Sequence, residues 1–267
     1  MALAACAHAP KDHALSGKIW DSRAQTFVSA DQMFQRAAQA RHVILGEAHD
    51  NPDHHRLQLI VLRALARQPR LLAMEQFDSE YQPTIDAARA AGADAEALAD
   101  AGHFERKGWN WPLYRPLVQF TLDRGWPLAA ANLSRAEARA IVADPARSGL
   151  AAASPFVRGA LERDIVEGHC GAVPEATRLA GMVEAQRARD ARMAQVMSAH
   201  RYTVLIAGSG HAQRDRGVPL YLAADEVLSI AFVEVETGDT RPQDFLSAES
   251  YDYEWFTPRA ARDDPCS

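Results

Sequence analysis

The sequence has little that would direct it to nucleic acid or into a membrane. Only three of its 29 basic residues are lysines, and the formal net charge is −6. A basic surface is therefore not expected, and we predict no nucleic-acid partner. No apolar run approaches the roughly 20 residues that a membrane-spanning helix needs.

Cysteine is equally scarce, with three residues in the chain. Leu3-Ala4-Ala5-Cys6 resembles a bacterial lipobox, in which Cys6 would be lipidated and Ala7, not Asp, would direct the protein to the outer membrane. The alternative is an Ala-rich leader in which Cys6 occurs by chance, since a basic start and an apolar segment are missing before it. Cys170 and Cys266 lack metal-ligand spacing. A disulfide between them is one option, and a buried free Cys170 is the simpler expectation.

The chain is long enough for one large α/β domain at 267 residues, and its 48% apolar content is ordinary for a globular protein. We predict a tether over residues 1–17, a single domain over 18–242 and a polar C-terminal tail over 243–267.

Short apolar runs of strand length recur along the domain. Ile19-Trp20 and Phe27-Val28 predict a hairpin, with Ser29 capping a helix from about Asp31. The later runs are His42–Leu45, Leu71–Met74, Pro127–Ala130, Thr203–Ala207 and Val227–Val233. Helical patterns separate them, at His54–Arg67, 84–101 and 174–200. This alternation predicts an α/β fold: a central, mostly parallel sheet flanked by helices, with a small N-terminal hairpin and a helical lid region.

Polar residues follow these strands where the apolar runs end. They are Glu47 and His49 after the first of the later runs, Glu75 after the second, Asn132 after the third and His211 after the fourth. Because the carboxyl ends of parallel strands share one edge of a sheet, we expect these side chains to converge there. Taken singly, each is more simply a helix cap, an ion-pair partner or a satisfied histidine.

Two carboxylates and two imidazoles could hold a divalent metal ion, with His54 as a further ligand. The same residues could instead act without metal, one histidine serving as general base and a glutamate orienting it. His54 and His55 are adjacent on a helix and point about 100° apart, so only one should face the cluster and the other should be solvated.

Several motifs follow one another in a characteristic order. They are Gly46-Glu47-Ala48-His49 with His54-His55, Met74–Phe77, Trp109–Tyr114, Asn132 with Arg135, Gly168–Gly171, Ala185–Ala194 and Ala207–Ala212. Together they resemble the ChaN family, which is grouped with Tiki metalloproteases and erythromycin esterases. Each motif alone is weak, but their order and spacing cover most of the chain.

The resemblance implies a haem-binding outer-membrane lipoprotein, anchored through Cys6 and serving iron or haem uptake with outer-membrane transport machinery. It also implies a homodimer with two cofacial haems, each iron held by a tyrosine and the propionates by a histidine and a lysine of the other subunit. The candidates are Tyr114 and Tyr81 for iron, His103 and Lys107 for propionates, with Arg106 or Arg115 as substitutes for the lysine.

The long helix at 174–200 belongs to the same resemblance, and Arg189 or Asp190 on it could orient the Glu47 and Glu75 carboxylates, with Asn132 as a further support. The alternative function is a metal-dependent hydrolase, a protease or an esterase, that uses Glu47, His49, Glu75 and His211 as catalytic residues.

Overall fold

The computed structural model describes residues 13–236, 241–242, 250–262 and 266. The lipobox-like start and Cys6 therefore lie outside the described residues. Leu15 falls within the predicted tether but is buried against Trp20, Val235 and Phe256, so the folded domain begins earlier than predicted.

One eight-stranded sheet organises the molecule. Its strands are β1 (Ile19–Asp21), β2 (Thr26–Val28), β3 (His42–Glu47), β4 (Leu71–Asp78), β5 (Leu128–Asn132), β6 (Thr203–Gly208), β7 (Val227–Val235) and β8 (Tyr253–Pro258). Their spatial order is β2-β1-β8-β7-β3-β6-β4-β5. The six strands from β8 to β5 run parallel, and the β1–β2 hairpin joins β8 antiparallel. The predicted fold class is confirmed.

Helices cover the sheet on both faces. They are α1 (Ala30–Gln39), α2 (Pro52–Ala64), α3 (Gln82–Ala90), α4 (Ala95–Ala101), α5 (Trp111–Arg124), α6 (Arg135–Ala143), α7 (Pro155–Gly168) and α8 (Ala176–Ser198). Ser29 caps α1 and Ser134 caps α6, both with a reciprocal capping box that satisfies the first backbone N–H groups. Within the described residues, no helix has the length and apolar character needed to cross a membrane.

The predicted single helix at 84–101 is wrong. The chain forms α3 and α4 instead, and between them Gly92 adopts a φ of +79°. A left-handed residue ends a helix, and glycine reaches this conformation without steric cost, so the Ala-rich composition on either side does not keep the helix continuous.

The predicted polar tail also needs correction, because it contains β8. Tyr253, Trp255 and Phe256 are buried, and β8 lies between β1 and β7. The polar residues around this short strand conceal it in the sequence. Its position as an inner strand is set by pairing with distant parts of the chain.

The expectation of a buried, free Cys170 was wrong as well. Cys170 is exposed, with a φ of +57°, and forms a disulfide with Cys266. They are 96 positions apart in the chain, and nothing in the sequence indicated that the segment after α7 and the segment around Cys266 lie together.

Candidate functional site

Three adjacent strands carry the candidate site. β3, β6 and β4 are neighbours in that order, and their carboxyl ends carry Glu47, the turn to His211, and Glu75. The sheet therefore brings together the strand-end residues that the sequence placed far apart. β5, next to β4, adds Asn132, whose side-chain amide donates to the Glu75 carbonyl oxygen at 3.0 Å.

Glu47 is the most enclosed carboxylate of the cluster, with a side chain that has no exposed surface. Its Oε1 accepts from the Tyr114 hydroxyl at 2.6 Å, from His49 Nδ1 at 2.9 Å and from Gln76 Nε2 at 3.3 Å. Its Oε2 accepts from Gln58 Nε2 at 2.6 Å. With its lone pairs engaged in this way, Glu47 is suited to orient other groups rather than to react.

His49 is held by Glu47 but is reachable from outside, since 42% of its side chain is exposed. Its Nδ1 contacts Glu47, and its Nε2 lies beside Gly208 at the end of β6. The protein around the ring lowers the pKa of His49, but the Glu47 hydrogen bond and the charge of Glu75 outweigh this and raise it. The ring edge packs on Trp109 at a centroid distance of 4.6 Å.

Gly208 makes this approach of His49 possible. A Cβ at position 208 would lie 2.9 Å from the His49 ring, closer than side chains pack. The Gly208 amide also donates to Glu75 Oε2 at 2.8 Å, so the end of β6 contacts both groups.

His211 forms the second histidine–carboxylate pair. Its Nδ1 lies 2.6 Å from Asp190 Oδ1, and its Nε2 lies 3.4 Å from Glu75 Oε1 and 3.1 Å from Gln186 Nε2. Burial disfavours the charged ring, but Glu75 and Asp190 raise the pKa of His211 to about 10. Burial alone would raise the pKa of Glu75, yet His211 and His49 hold it well below its usual range.

Of the two residues on the long helix α8 that were expected to orient the glutamates, only one contacts the cluster. Asp190 of α8 contacts His211 directly, whereas half-buried Arg189 makes no contact with the glutamates and lies in the electrostatic environment of Asp78 and Asp190. Asp190 is thus the orienting residue, and it acts on the imidazole.

His54 is not part of the cluster, which corrects its assignment as a ligand. Ala48 N donates to its Nδ1 at 2.8 Å, and its Nε2 lies 2.8 Å from Thr257 Oγ1. Burial and the neighbouring His55 lower the pKa of His54 to about 3. His55 faces the cluster instead, with its Nδ1 3.3 Å from Glu47 Oε2. The prediction that one of the two adjacent histidines would be exposed to solvent is also wrong, because both are buried.

The predicted metal site is not supported. Within the described ranges, no group of three or more His, Cys, Asp or Glu residues is arranged to hold a metal ion. Glu47, one of the predicted ligands, instead accepts hydrogen bonds from four side chains.

Tyr114 is placed where it cannot ligate a haem iron. It is fully buried on α5 and donates its hydroxyl to Glu47. Burial and the charge of Glu47 raise the pKa of Tyr114 far above its usual range, which keeps the phenol neutral. Tyr114 in the Trp109–Tyr114 motif is therefore a hydrogen-bond donor to Glu47.

Tyr81 and His103, by contrast, lie together at the surface. Tyr81 is half-buried at the end of the 3-10 turn Ser79–Tyr81, and the exposed His103 ring stacks on it with centroids 4.1 Å apart and an interplanar angle of 17°. Lys107 is exposed four residues further along. Arg106 is paired with Asp100 and Glu96, and Arg115 with Glu96, which makes both less available for a ligand.

The other tyrosines lie elsewhere. Tyr202 precedes β6 and so lies at the opposite edge of the sheet, where Gln68 and Arg201 lower its pKa. Tyr251 is buried and donates to the Ser209 carbonyl oxygen at 3.0 Å. Tyr221 and Tyr253 have pKa values raised by burial.

Sequence reasoning missed the amides of the site. Gln58 and Gln76 donate to Glu47, and Gln186 contacts His211. A signal for Gln58 was present: it lies on the face of α2 that also carries Leu57, Val61 and Leu62, where a polar residue needs a buried partner.

Comparison with solved structures gives a clear match in overall shape. ChaN of Campylobacter jejuni, a protein that binds haem cofacially, superposes with a TM-score of 0.76 at 24% identity, covering 92% of this chain and 98% of that one. The C-terminal region of Pasteurella multocida toxin, which has a thiol-protease-like catalytic triad, gives a TM-score of 0.50 at 13% identity, covering 88% of this chain and 28% of that one. The type III effector HopBA1 gives 0.49 at 14% identity, covering 86% and 93%. At 24% identity, the likeness to the Campylobacter jejuni protein establishes the fold alone.

Comparison with curated proteins finds no significant match. The model of a protein family does match, over residues 33–222, and its description is haem-binding uptake, Tiki superfamily, ChaN. Since that match covers well over half of the 267 residues, this chain belongs to the ChaN family of the Tiki superfamily.

Proposed function

We propose that this protein binds haem, with Tyr81 as the iron ligand. The observation that carries the proposal is membership of the haem-binding ChaN family. A phenolate oxygen is a suitable ligand for ferric haem, and Tyr81 is the tyrosine at the carboxyl edge of the sheet whose ring is both accessible and beside an imidazole.

Two features beside Tyr81 support haem as the ligand. The hydroxyl of Tyr81 accepts or donates no hydrogen bond within the described residues, so it can take a ligand without first losing a partner. Lys107 supplies an exposed cation for a propionate. Such a shallow site covers one face of the porphyrin, and a second copy of the chain would cover the other, which couples binding to dimerisation.

We further propose an outer-membrane lipoprotein, anchored through Cys6, that passes haem or iron to uptake machinery. The disulfide between Cys170 and Cys266 supports an oxidising compartment, since such bonds rarely persist in a reducing cytoplasm. Metabolic labelling with a fatty-acid probe tests the anchor: wild-type protein should be labelled and Cys6→Ser should not.

The haem proposal is tested by titrating the apo-protein with ferric haem, following the Soret band and the sedimentation coefficient. We expect one haem per chain and a dimer. Tyr81→Phe should lose the tyrosinate spectrum, and Tyr202→Phe, at the opposite edge, should keep it. Retention of the tyrosinate spectrum by Tyr81→Phe would overturn the assignment of the ligand, whatever the behaviour of Tyr202→Phe.

The second candidate is a metal-free hydrolase, favoured by two imidazoles that are each held by a carboxylate and lie close to Glu75. Glu47 directs Nε2 of accessible His49 toward the site, where it could take a proton from water. His211, kept cationic, could stabilise the charge that develops on a carbonyl oxygen.

Turnover of a 4-nitrophenyl ester tests this candidate. A hydrolase requires activity that resists a chelator, falls by about 10²–10⁴-fold in His49→Ala and is unchanged in His200→Ala, an exposed histidine remote in sequence. Equal rates for the two variants would exclude His49 as a catalytic base.

A further inference from the structure

His103 has a closer relation to Tyr81 than the family resemblance implies. The two residues belong to different elements, Tyr81 following β4 and His103 following α4. Their rings nevertheless lie almost parallel, 4.1 Å apart between centroids. Pairing with a propionate would not require the imidazole to stack on the phenol ring.

The backbone holds the two residues in register. Gly102 lies against Phe77, since a Cβ there would be 2.5 Å from Phe77 Cδ1, which brings the end of α4 onto the end of β4. The Thr84 hydroxyl lies 2.6 Å from the Ala101 carbonyl oxygen and 2.8 Å from that of Tyr81. One side chain thus contacts both turns.

His103 also adopts an uncommon backbone conformation, with a φ of +50°. A residue with a Cβ is disfavoured in this left-handed region, and such conformations persist where the surroundings require them. Here the left-handed turn directly after Gly102 directs the imidazole over the phenol ring.

We propose that His103 positions the Tyr81 ring for coordination of porphyrin-bound iron. This inference rests on the proposed haem function. Stacking fixes the plane of the phenol, and with it the direction in which the hydroxyl oxygen points.

Three variants separate stacking from charge. His103→Phe keeps an aromatic ring over Tyr81, His103→Ala removes it, and both meet the same left-handed backbone. Lys107→Ala removes a nearby cation without touching the stack. In apo-protein, NMR signals of the Tyr81 ring protons should move downfield in His103→Ala, which loses the ring current, and stay close to wild type in Lys107→Ala.

With haem, His103→Ala should bind roughly 2- to 10-fold more weakly, as expected for loss of an aromatic pair, and show an altered tyrosinate charge-transfer band. His103→Phe should keep both the affinity and the band. If His103→Phe behaves like His103→Ala, or if His103→Ala matches wild type, the inference is overturned. Absence of haem binding by wild-type protein would instead overturn the proposed function, while the apo-protein signals would still decide whether His103 orders the Tyr81 ring.

Discussion

At the residue scale, Glu47 shows how a buried carboxylate is made tolerable. Moving a charged group out of water costs several kcal/mol unless protein hydrogen bonds replace those lost to water. A buried carboxylate therefore needs donors for both of its oxygen atoms. Tyr114 of α5, Gln58 of α2 and Gln76 of β4 supply these donors from three elements. The carboxylate therefore ties the helical layer to the sheet at the point where His49 is oriented.

Tyr114→Phe tests this account. The substitution removes the hydroxyl donor to Glu47 and leaves the ring packing intact, so we expect a loss of about 1–3 kcal/mol in the free energy of unfolding. Urea denaturation measures it. Tyr202→Phe at the opposite edge is the control and should change stability by less than about 0.5 kcal/mol. If Tyr114→Phe unfolds at the same urea concentration as wild type, this hydrogen bond does not stabilise the fold.

Glu254 gives a residue-scale prediction about pH. Burial raises its pKa to about 8, opposed by a hydrogen bond from Ser22 and assisted by the charges of Asp252 and Asp21. A folded-state pKa above the unfolded value means that the native protein binds the extra proton. This contribution to stability is complete below about pH 4.5 and is lost as the pH rises toward 8.

Glu254→Gln removes that titration and keeps a hydrogen-bonding partner for Ser22. We expect the variant to be more stable than wild type at pH 8 by about 1–3 kcal/mol, with a smaller advantage at pH 5. Thermal unfolding across this range measures the difference, and Glu167→Gln, on the exposed side of α7, serves as the control. A constant difference at every pH would show that Glu254 does not titrate in this interval.

At the element scale, the junction between β6 and the turn that carries His211 determines the shape of the site. Gly208 ends the strand, contacts Glu75 through its amide and leaves space for the His49 ring. Gly210, two residues later, has no atom within 4 Å of the position that a Cβ would take.

These two glycines form a matched pair for mutation. Gly208→Ala should displace His49 and cost about 1–3 kcal/mol through overpacking. It should also shift the NMR resonances of the His49 ring. Gly210→Ala should leave both quantities close to wild type, because its added methyl group meets open space. Equal effects in the two variants would refute the close-approach argument.

The elements themselves could be predicted to different degrees. β3, β4 and β6 are buried along their whole length or nearly so, and such continuous apolar runs are readable in a sequence. The break between α3 and α4 was missed because helix propensity is high on both sides of Gly92. β8 was missed because a short strand is specified by the neighbours with which it pairs.

At the scale of the whole molecule, the C-terminal part of the chain closes the fold. β8 pairs with β1 and β7, and the disulfide joins Cys266 to the end of α7. The strand β8 is thereby attached to the sheet, and the segment around Cys266 is attached to the helical layer.

Loss of the disulfide should be measurable as a change in stability. Cys170→Ser combined with Cys266→Ser should lower the free energy of unfolding by about 2–4 kcal/mol, because the cross-link restricts the unfolded chain. Urea unfolding of wild type with and without a reductant should reproduce the same decrease. A reductant effect in the double variant would show that its action on wild type has another origin.

The sequence alone was enough to predict most of the strand–helix alternation, the parallel sheet and the convergence of Glu47, His49, Glu75 and His211 at one edge, because apolar periodicity and the geometry of parallel strands suffice for these. The side-chain pairs at that edge became visible only in the folded structure. It placed His55 and Tyr114, not His54, against Glu47, it put Tyr81 beneath His103, and it joined Cys170 to Cys266. Such contacts depend on the rotation of each helix and the path of each loop, and these are fixed by packing between residues that are distant in the chain.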